Sequence, residues 1–279
     1  MRVGILGATG FIGRHLANAL TQRGDEVIAD SLRNPEGAAR ALAACDAVVN
    51  LAGEPLAQRW SGAVKHNILY SRTELPQRFL EAIGTYPAHP TAYICASAIG
   101  FYGVSETATF TEASPAGNDF LARVCIAWER EAQRAETLGM RVSIVRTGIA
   151  LGDGGALGAM LAPFRLGAGG IVGDGRQWVS WVHVDDVVGI YLKAIDGVKG
   201  VMNATAPNPV RNAEFTHALG RALHRPTVLP TPTFALRLML GEGADMLLTG
   251  QRVLPERTQA EGYTFAFTEI DDALANAVA

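Results

Sequence analysis

The chain has 279 residues, of which 48% are hydrophobic and 18% charged, at a net charge of −3; that balance excludes a disordered protein and suffices for a full-sized core. Its 24 Lys+Arg are scattered without a basic run, so nucleic-acid binding lacks an electrostatic footprint. Three cysteines without a CxxC pair exclude a disulfide scaffold or zinc ribbon and fit a reducing compartment; the longest stretch without a charged residue, Ile83 to Ser105, is broken by Pro87, Pro90, Gly100 and Gly103, and no His, Cys, Asp or Glu cluster has metal-ligand spacing, so the expected location is the cytoplasm, with no membrane span and no metal.

Taken in chain order, Arg2 to Leu6 is a short apolar run that ends at Gly7, and Phe11 to Arg23 carries apolar residues at helical spacing until Gly24. Strands follow at Glu26–Ala29, Ala47–Leu51, Ala92–Ala96 and Arg141–Val145, separated by helices at Pro35–Ala44, Ser61–Ile83 and Asp119–Leu138. This alternation predicts an α/β protein, a doubly wound parallel sheet with helices on both faces. Beyond Gly148 a Gly-rich stretch carries one predicted helix, Leu157–Arg165. Asp185 and Asp186 open another to Ile195, and Val201–Ala204 is expected to return to the sheet. The last part is expected to hold a helix at Asn212–Leu223, two short helices and a tail helix at Glu269–Val278. Residues 1–150 therefore read as a dinucleotide-binding domain and 151–279 as mainly a small substrate-side α/β domain.

Gly7-Ala8-Thr9-Gly10-Phe11-Ile12-Gly13 is a GxxGxxG between the first strand and first helix. Gly7 permits the turn, Gly10 admits a pyrophosphate close to the backbone, and Gly13 lets helix pack on strand; the helix amino end carries partial positive charge. At the end of the second strand, Asp30 suits a ribose 2′-hydroxyl, whereas Arg33 suits a 2′-phosphate.

These residues, with Asn50-Leu51-Ala52-Gly53, Ser97 to Gly103, Arg146-Thr147-Gly148 and Val182 to Asp186, stand in the order seen in extended short-chain dehydrogenases/reductases. Arg59-Trp60, Ser71-Arg72, Trp128-Glu129, Gly173-Asp174-Gly175 and the Pro-rich segment after Arg225 resemble the atypical "epimerase family protein" branch of the NAD-dependent epimerase/dehydratase-like proteins. The resemblance covers the whole chain. It implies a Rossmann domain binding NADP(H), with Thr9, Phe11 and Ile12 at the phosphates and Leu32 and Arg33 at the 2′-phosphate. It further implies Leu51, Ala52, Gly53, Asn67 and Arg72 along the cofactor and Ala150 near the nicotinamide.

The sequence departs from that pattern where the chemistry sits. Its three lysines, Lys65, Lys193 and Lys199, have no Tyr four residues before them, so the Tyr–Lys pair that relays a proton is absent. Leu121 and Cys125 occupy the two positions, and Val179 stands where sugar-nucleotide members carry a diphosphate-gripping Arg. The remaining catalytic candidates are Tyr102 and Ser97. Cys125 reads as core, His183 with Asp185 as a helix start, and Trp60, Trp178 and Trp181 as either a pocket wall or core. The expected function is an NADP(H)-dependent oxidoreductase acting on a small carbonyl or enone. A nucleoside-diphosphate-sugar epimerase/dehydratase and a non-catalytic NADP(H) sensor are the alternatives. The expected partner is a small-molecule substrate, and the assembly open to the chain is a homodimer.

Overall fold

The computed structural model describes residues 1–279. Its strands and helices in order are β1 (Arg2–Leu6), α1 (Phe11–Arg23), β2 (Glu26–Asp30), α2 (Pro35–Leu42), β3 (Ala47–Asn50), α3 (Gly62–Tyr70), α4 (Glu74–Ile83), β4 (Ala92–Ala98), β5 (Thr109–Phe110), α5 (Phe120–Gln133), β6 (Arg141–Thr147), β7 (Ile149–Leu151) and α6 (Gly155–Arg165). They continue as β8 (Trp178–Val179), β9 (Trp181–His183), α7 (Val184–Ile195), β10 (Gly200–Ala204), β11 (Val210–Arg211), α8 (Asn212–Ala222), α9 (Thr233–Leu240), α10 (Asp245–Leu248), β12 (Arg252–Val253), α11 (Glu256–Ala260) and α12 (Ile270–Val278).

Six parallel strands form the central sheet in the order β2-β1-β3-β4-β6-β10. The chain steps from β1 outward to β2, then crosses to β3 on the other side of β1. That reversal opens a crevice at the carboxyl ends of β1 and β3, where such folds take ligands. The connection from Ser31 to Asp46 holds only α2 and leaves no room for a strand outside β2. The end of β2 is thus an open sheet edge. One face of the sheet is covered by α1 and α7, through Leu16, Leu20, Val187 and Tyr191. The other is covered by α2, α4 and α5, through Leu42, Phe79 and Trp128.

The expected return of residues 201–204 is β10, paired with β6. α7 also lies past residue 150 yet packs on α1, so the chain crosses back into the first layer before entering the rest. A third core around Leu151, Trp181, Phe215 and Leu274 holds the carboxyl-terminal part together. The expected helix 61–83 is two helices broken at Ser71–Thr73. Pro76 fits the break: it lies in the first turn of α4, where its missing N–H has no intrahelical partner to lose, whereas in one continuous helix it could not donate to the carbonyl of Arg72. No helix is long and apolar enough to cross a membrane.

Candidate active site

The phosphate turn has the shape its glycines demand. Gly7 adopts φ 91°, and a Cβ there would stand 3.1 Å from the backbone nitrogen of Ala52. A Cβ at Gly13 would stand 2.3 Å from the carbonyl oxygen of Gly7. The turns after β1 and β3 therefore lie against each other, and Asn50 shapes the second by accepting from the Ala52 N–H at 3.1 Å while donating to the Tyr93 hydroxyl at 2.9 Å. Gly10 caps α1 without a side chain, and no acidic residue occupies the first turn, so the open amides of Phe11, Ile12 and Gly13 are left for an anion. Thr9 is exposed beside them. Phe11 lies beneath the Gly152–Gly155 stretch, and Asp153 of that stretch pairs with His15 at 2.9 Å and with Arg14.

At the sheet edge, Arg33 is exposed, and its guanidinium makes no hydrogen bond or ion pair within the protein. Asp30 spends a carboxylate oxygen on the Ser31 N–H at 2.7 Å. Leu32 departs from expectation: its side chain is buried in the core beneath α2, so only its backbone can border a ligand. Leu51 and Ala52 likewise turn their side chains toward the two core layers. Asn67 is exposed on α3, its carboxamide unpaired.

Arg72 is 9% exposed and lies over Gly53, where a Cβ would come 2.8 Å from its Cζ. One nitrogen, Nη1, donates to the carbonyls of Glu54 and Ile68 at 3.0 and 3.3 Å, and the guanidinium sits 4.9 Å from the Trp128 ring. No carboxylate pairs with it, and burial pushes its pKa down. Nε and Nη2 make no hydrogen bond and are not sealed from solvent. Arg72 therefore shapes the 53–54 turn and leaves one edge of its guanidinium unbonded.

A cleft of about 170 Å³ opens past the carboxyl ends of β4 and β6. Ile99, Leu121, Ile149, Trp178 and Met246 give it an apolar wall. Leu121, at the position of the missing Tyr, faces the cleft directly. Cys125, at the position of the missing Lys, is buried behind it, with its thiol pushed up to about 11 by burial. Ala150 packs half-buried against the core, so its neighbour Ile149 is the residue on the wall. Of the three tryptophans, Trp178 lines the cleft, Trp181 is core, and Trp60 packs edge-on to Phe120.

Both catalytic candidates sit elsewhere. The Ser97 hydroxyl donates to Glu129 at 2.6 Å. The Tyr102 hydroxyl donates to Asn203 Oδ1 at 2.7 Å and accepts from Arg146 at 3.0 Å. Both side chains are buried, Tyr102 stacks on Phe110, and neither lines the cleft. Burial also raises the Tyr102 phenol above its ordinary value. The expectation that they transfer a proton is therefore corrected: they belong to an internal network. Sequence reasoning did not place Asp119 on the cleft or join Glu129 to Arg146; nor did it see that Met246, Thr249 and Gln251 wall the cleft from 125 or more residues beyond Leu121. Only the helix-start signature at Asp119 was legible, because its side chain caps α5 by accepting from the Ala122 N–H.

His183 has the expected role. Its Nδ1 accepts from the Asp185 N–H at 3.2 Å as the cap of α7. Asp186, buried beside it, accepts from the Tyr263 hydroxyl and from the N–H groups of Ala266 and Phe267, which fastens the last segment to the sheet layer. No group of three or more His, Cys, Asp or Glu residues could hold a metal.

Comparison with known proteins agrees with this geometry. Residues 3–204 match the NAD dependent epimerase/dehydratase family, and residues 231–277 match a domain of unknown function, DUF1731. The chain is 42% identical over 299 residues to the Arabidopsis thaliana protein called epimerase family protein SDR39U1 homolog, chloroplastic, covering 98% of this chain and 86% of that one. A crystal structure of human epimerase family protein SDR39U1 with NADPH superposes with a TM-score of 0.90 at 37% identity, covering 99% of each chain. A Thermotoga maritima UDP-glucose 4-epimerase shares the fold at a TM-score of 0.84 but only 18% identity, covering 100% of this chain and 97% of that one. With the phosphate turn, the sheet order and both matched segments in place, the chain belongs to the NAD dependent epimerase/dehydratase family and carries the DUF1731 segment at its carboxyl-terminal end.

Proposed function

We propose that this protein is an NADP(H)-dependent oxidoreductase acting on a small carbonyl or enone compound. The observation that carries the reading is the cleft of about 170 Å³ with an apolar wall past the carboxyl ends of β4 and β6, the same end of the parallel sheet at which the phosphate-binding turn follows β1. The glycine cradle and the open amides of α1 fit a dinucleotide diphosphate, and the similar human protein was solved with NADPH. Gly7, Thr9, Gly10, Phe11, Ile12 and Gly13 would hold the diphosphate. Arg33 would hold the 2′-phosphate, and Leu51 to Gly53, Asn67 and Arg72 would flank the rest.

When bound, the nicotinamide supplies the hydride. The chain's own task is to hold the carbonyl compound in place. Ile99, Leu121 and Ile149 do so by apolar contact. With Tyr102 and Ser97 committed to the internal network and the Cys125 thiol neutral, the proton required by the product comes from water entering the cleft mouth.

The sugar-nucleotide alternative fits the family, but two positions outside the cleft wall offer a diphosphate little. Val179 supplies no charge, and Arg176 is exposed and pairs with Glu106 at 3.4 Å. A screen of NADPH consumption against small aldehydes, ketones and enones tests the proposal. Steady oxidation with at least one class supports it. Tight NADPH binding with no turnover on any of them would favour the sensor alternative instead.

A further inference from the structure

Asp119 is the one ionisable side chain on the wall of the cleft. It is half-buried, and no Lys or Arg lies within ion-pair distance of its carboxylate. One oxygen caps α5 through the Ala122 N–H at 2.8 Å; the other lies against Gly103, 3.3 Å from where a Cβ would stand. A Ser, Thr or Asn would cap the helix as well, so the cap alone does not require a charge here.

The other polar groups on the wall bring no compensating cation. Gln251 Nε2 donates to the Ile99 carbonyl, Ser180 Oγ to the Gln251 carbonyl, and Thr249 Oγ1 to the Asp245 carbonyl. The guanidinium of Arg211 stacks 3.7 Å from the Trp178 ring centroid, and that of Arg252 lies 5.4 Å away. Neither lines the cleft, and Arg211 donates to the carbonyls of Arg176 and Glu106.

We propose that the Asp119 carboxylate makes this cleft discriminate against anionic ligands, so that carboxylates and phosphates bind more weakly than neutral molecules of the same shape. This rests on the reading of the cleft as the substrate site. An anion placed a few ångströms from a partly desolvated carboxylate is disfavoured by roughly tenfold or more.

The test uses benzamide and benzoate, matched in shape and differing in charge, titrated into the NADPH-loaded protein. Trp178 emission is read as the signal lost in Trp178→Phe. Benzamide is expected to change that emission, with benzoate binding at least about tenfold more weakly. Asp119→Asn keeps an oxygen for the Ala122 N–H and removes the charge, so it should close most of the gap. Equal affinities in the wild type, a gap that survives Asp119→Asn, or no response to either probe would overturn the proposal. Because binding is read without turnover, a protein that discriminates the probes but oxidises NADPH with no carbonyl would contradict the oxidoreductase reading and leave the charge filter standing.

Discussion

Glu129 on α5 grips Arg146 on β6 with both carboxylate oxygens, at 2.8 Å to Nε and 2.7 Å to Nη2, and both side chains are buried. The pair ties a covering helix to the strand whose end opens into the cleft. Ser97 completes one side of it and Tyr102 with Asn203 the other, while the Phe101 ring lies 3.3 Å from the guanidinium. The whole arrangement holds the 97–103 loop beside the cleft.

Breaking one half of the pair leaves a buried charge alone. Glu129→Gln should therefore cost about 3–5 kcal/mol of stability by denaturant unfolding. Replacing both partners by apolar residues, Glu129→Leu with Arg146→Met, should cost clearly less than the two single losses added together. A strictly additive double variant would contradict this description of the pair.

Tyr102→Phe strips Asn203 and Arg146 of a hydroxyl partner inside the protein. The expected result is a loss of about 1–3 kcal/mol in stability. NADPH affinity and turnover of any reduced carbonyl should be nearly unchanged. A turnover loss of ~10²-fold, the scale of a positioned acid, would show that the phenol acts on the substrate.

His183 should set a pH dependence. Burial holds its pKa below the usual 6.5, and its Nδ1 must stay unprotonated to accept from Asp185. The unfolded chain thus binds a proton that the folded one resists, so stability is full above pH 6.5 and declines as pH falls from there toward the lowered folded value. His183→Asn offers a non-titrating acceptor. Thermal unfolding between pH 5 and 7.5 should show a steeper acid-side decline for the wild type, and equal slopes would remove His183 from the explanation.

Local signals in the sequence were strong wherever the chain's neighbours in space are also its neighbours in sequence. The GxxGxxG turn, β1 and α1 agree with the structure residue for residue, because strand, turn and helix start are all set within residues 2–23. Pro76 also carried the break in the 61–83 helix, but the surrounding apolar period masked it. The site's chemistry was less legible because it is built across long separations. Tyr102 meets Asn203 at a distance of 101 residues in sequence, and Glu129 meets Arg146 across a helix–strand junction. Tyr102, four residues past the end of β4, read as a catalytic candidate. Its burial depends on partners from two other strands, which no local pattern encodes. Leu32 shows the same limit at one residue: its place beside Arg33 is local, whereas its burial under α2 is tertiary.

The selectivity proposed for the NADP(H) site lies with Arg33 at the open end of β2. Its most direct test is calorimetric titration of NADPH and NADH into the wild type and Arg33→Ala. The unpaired, exposed Arg33 predicts that the wild type prefers NADPH. Arg33→Ala should weaken NADPH by about 1–3 kcal/mol, the worth of a charge-assisted bond, and leave NADH nearly unchanged. Equal losses for both cofactors, or a wild type that prefers NADH through Asp30, would contradict the account.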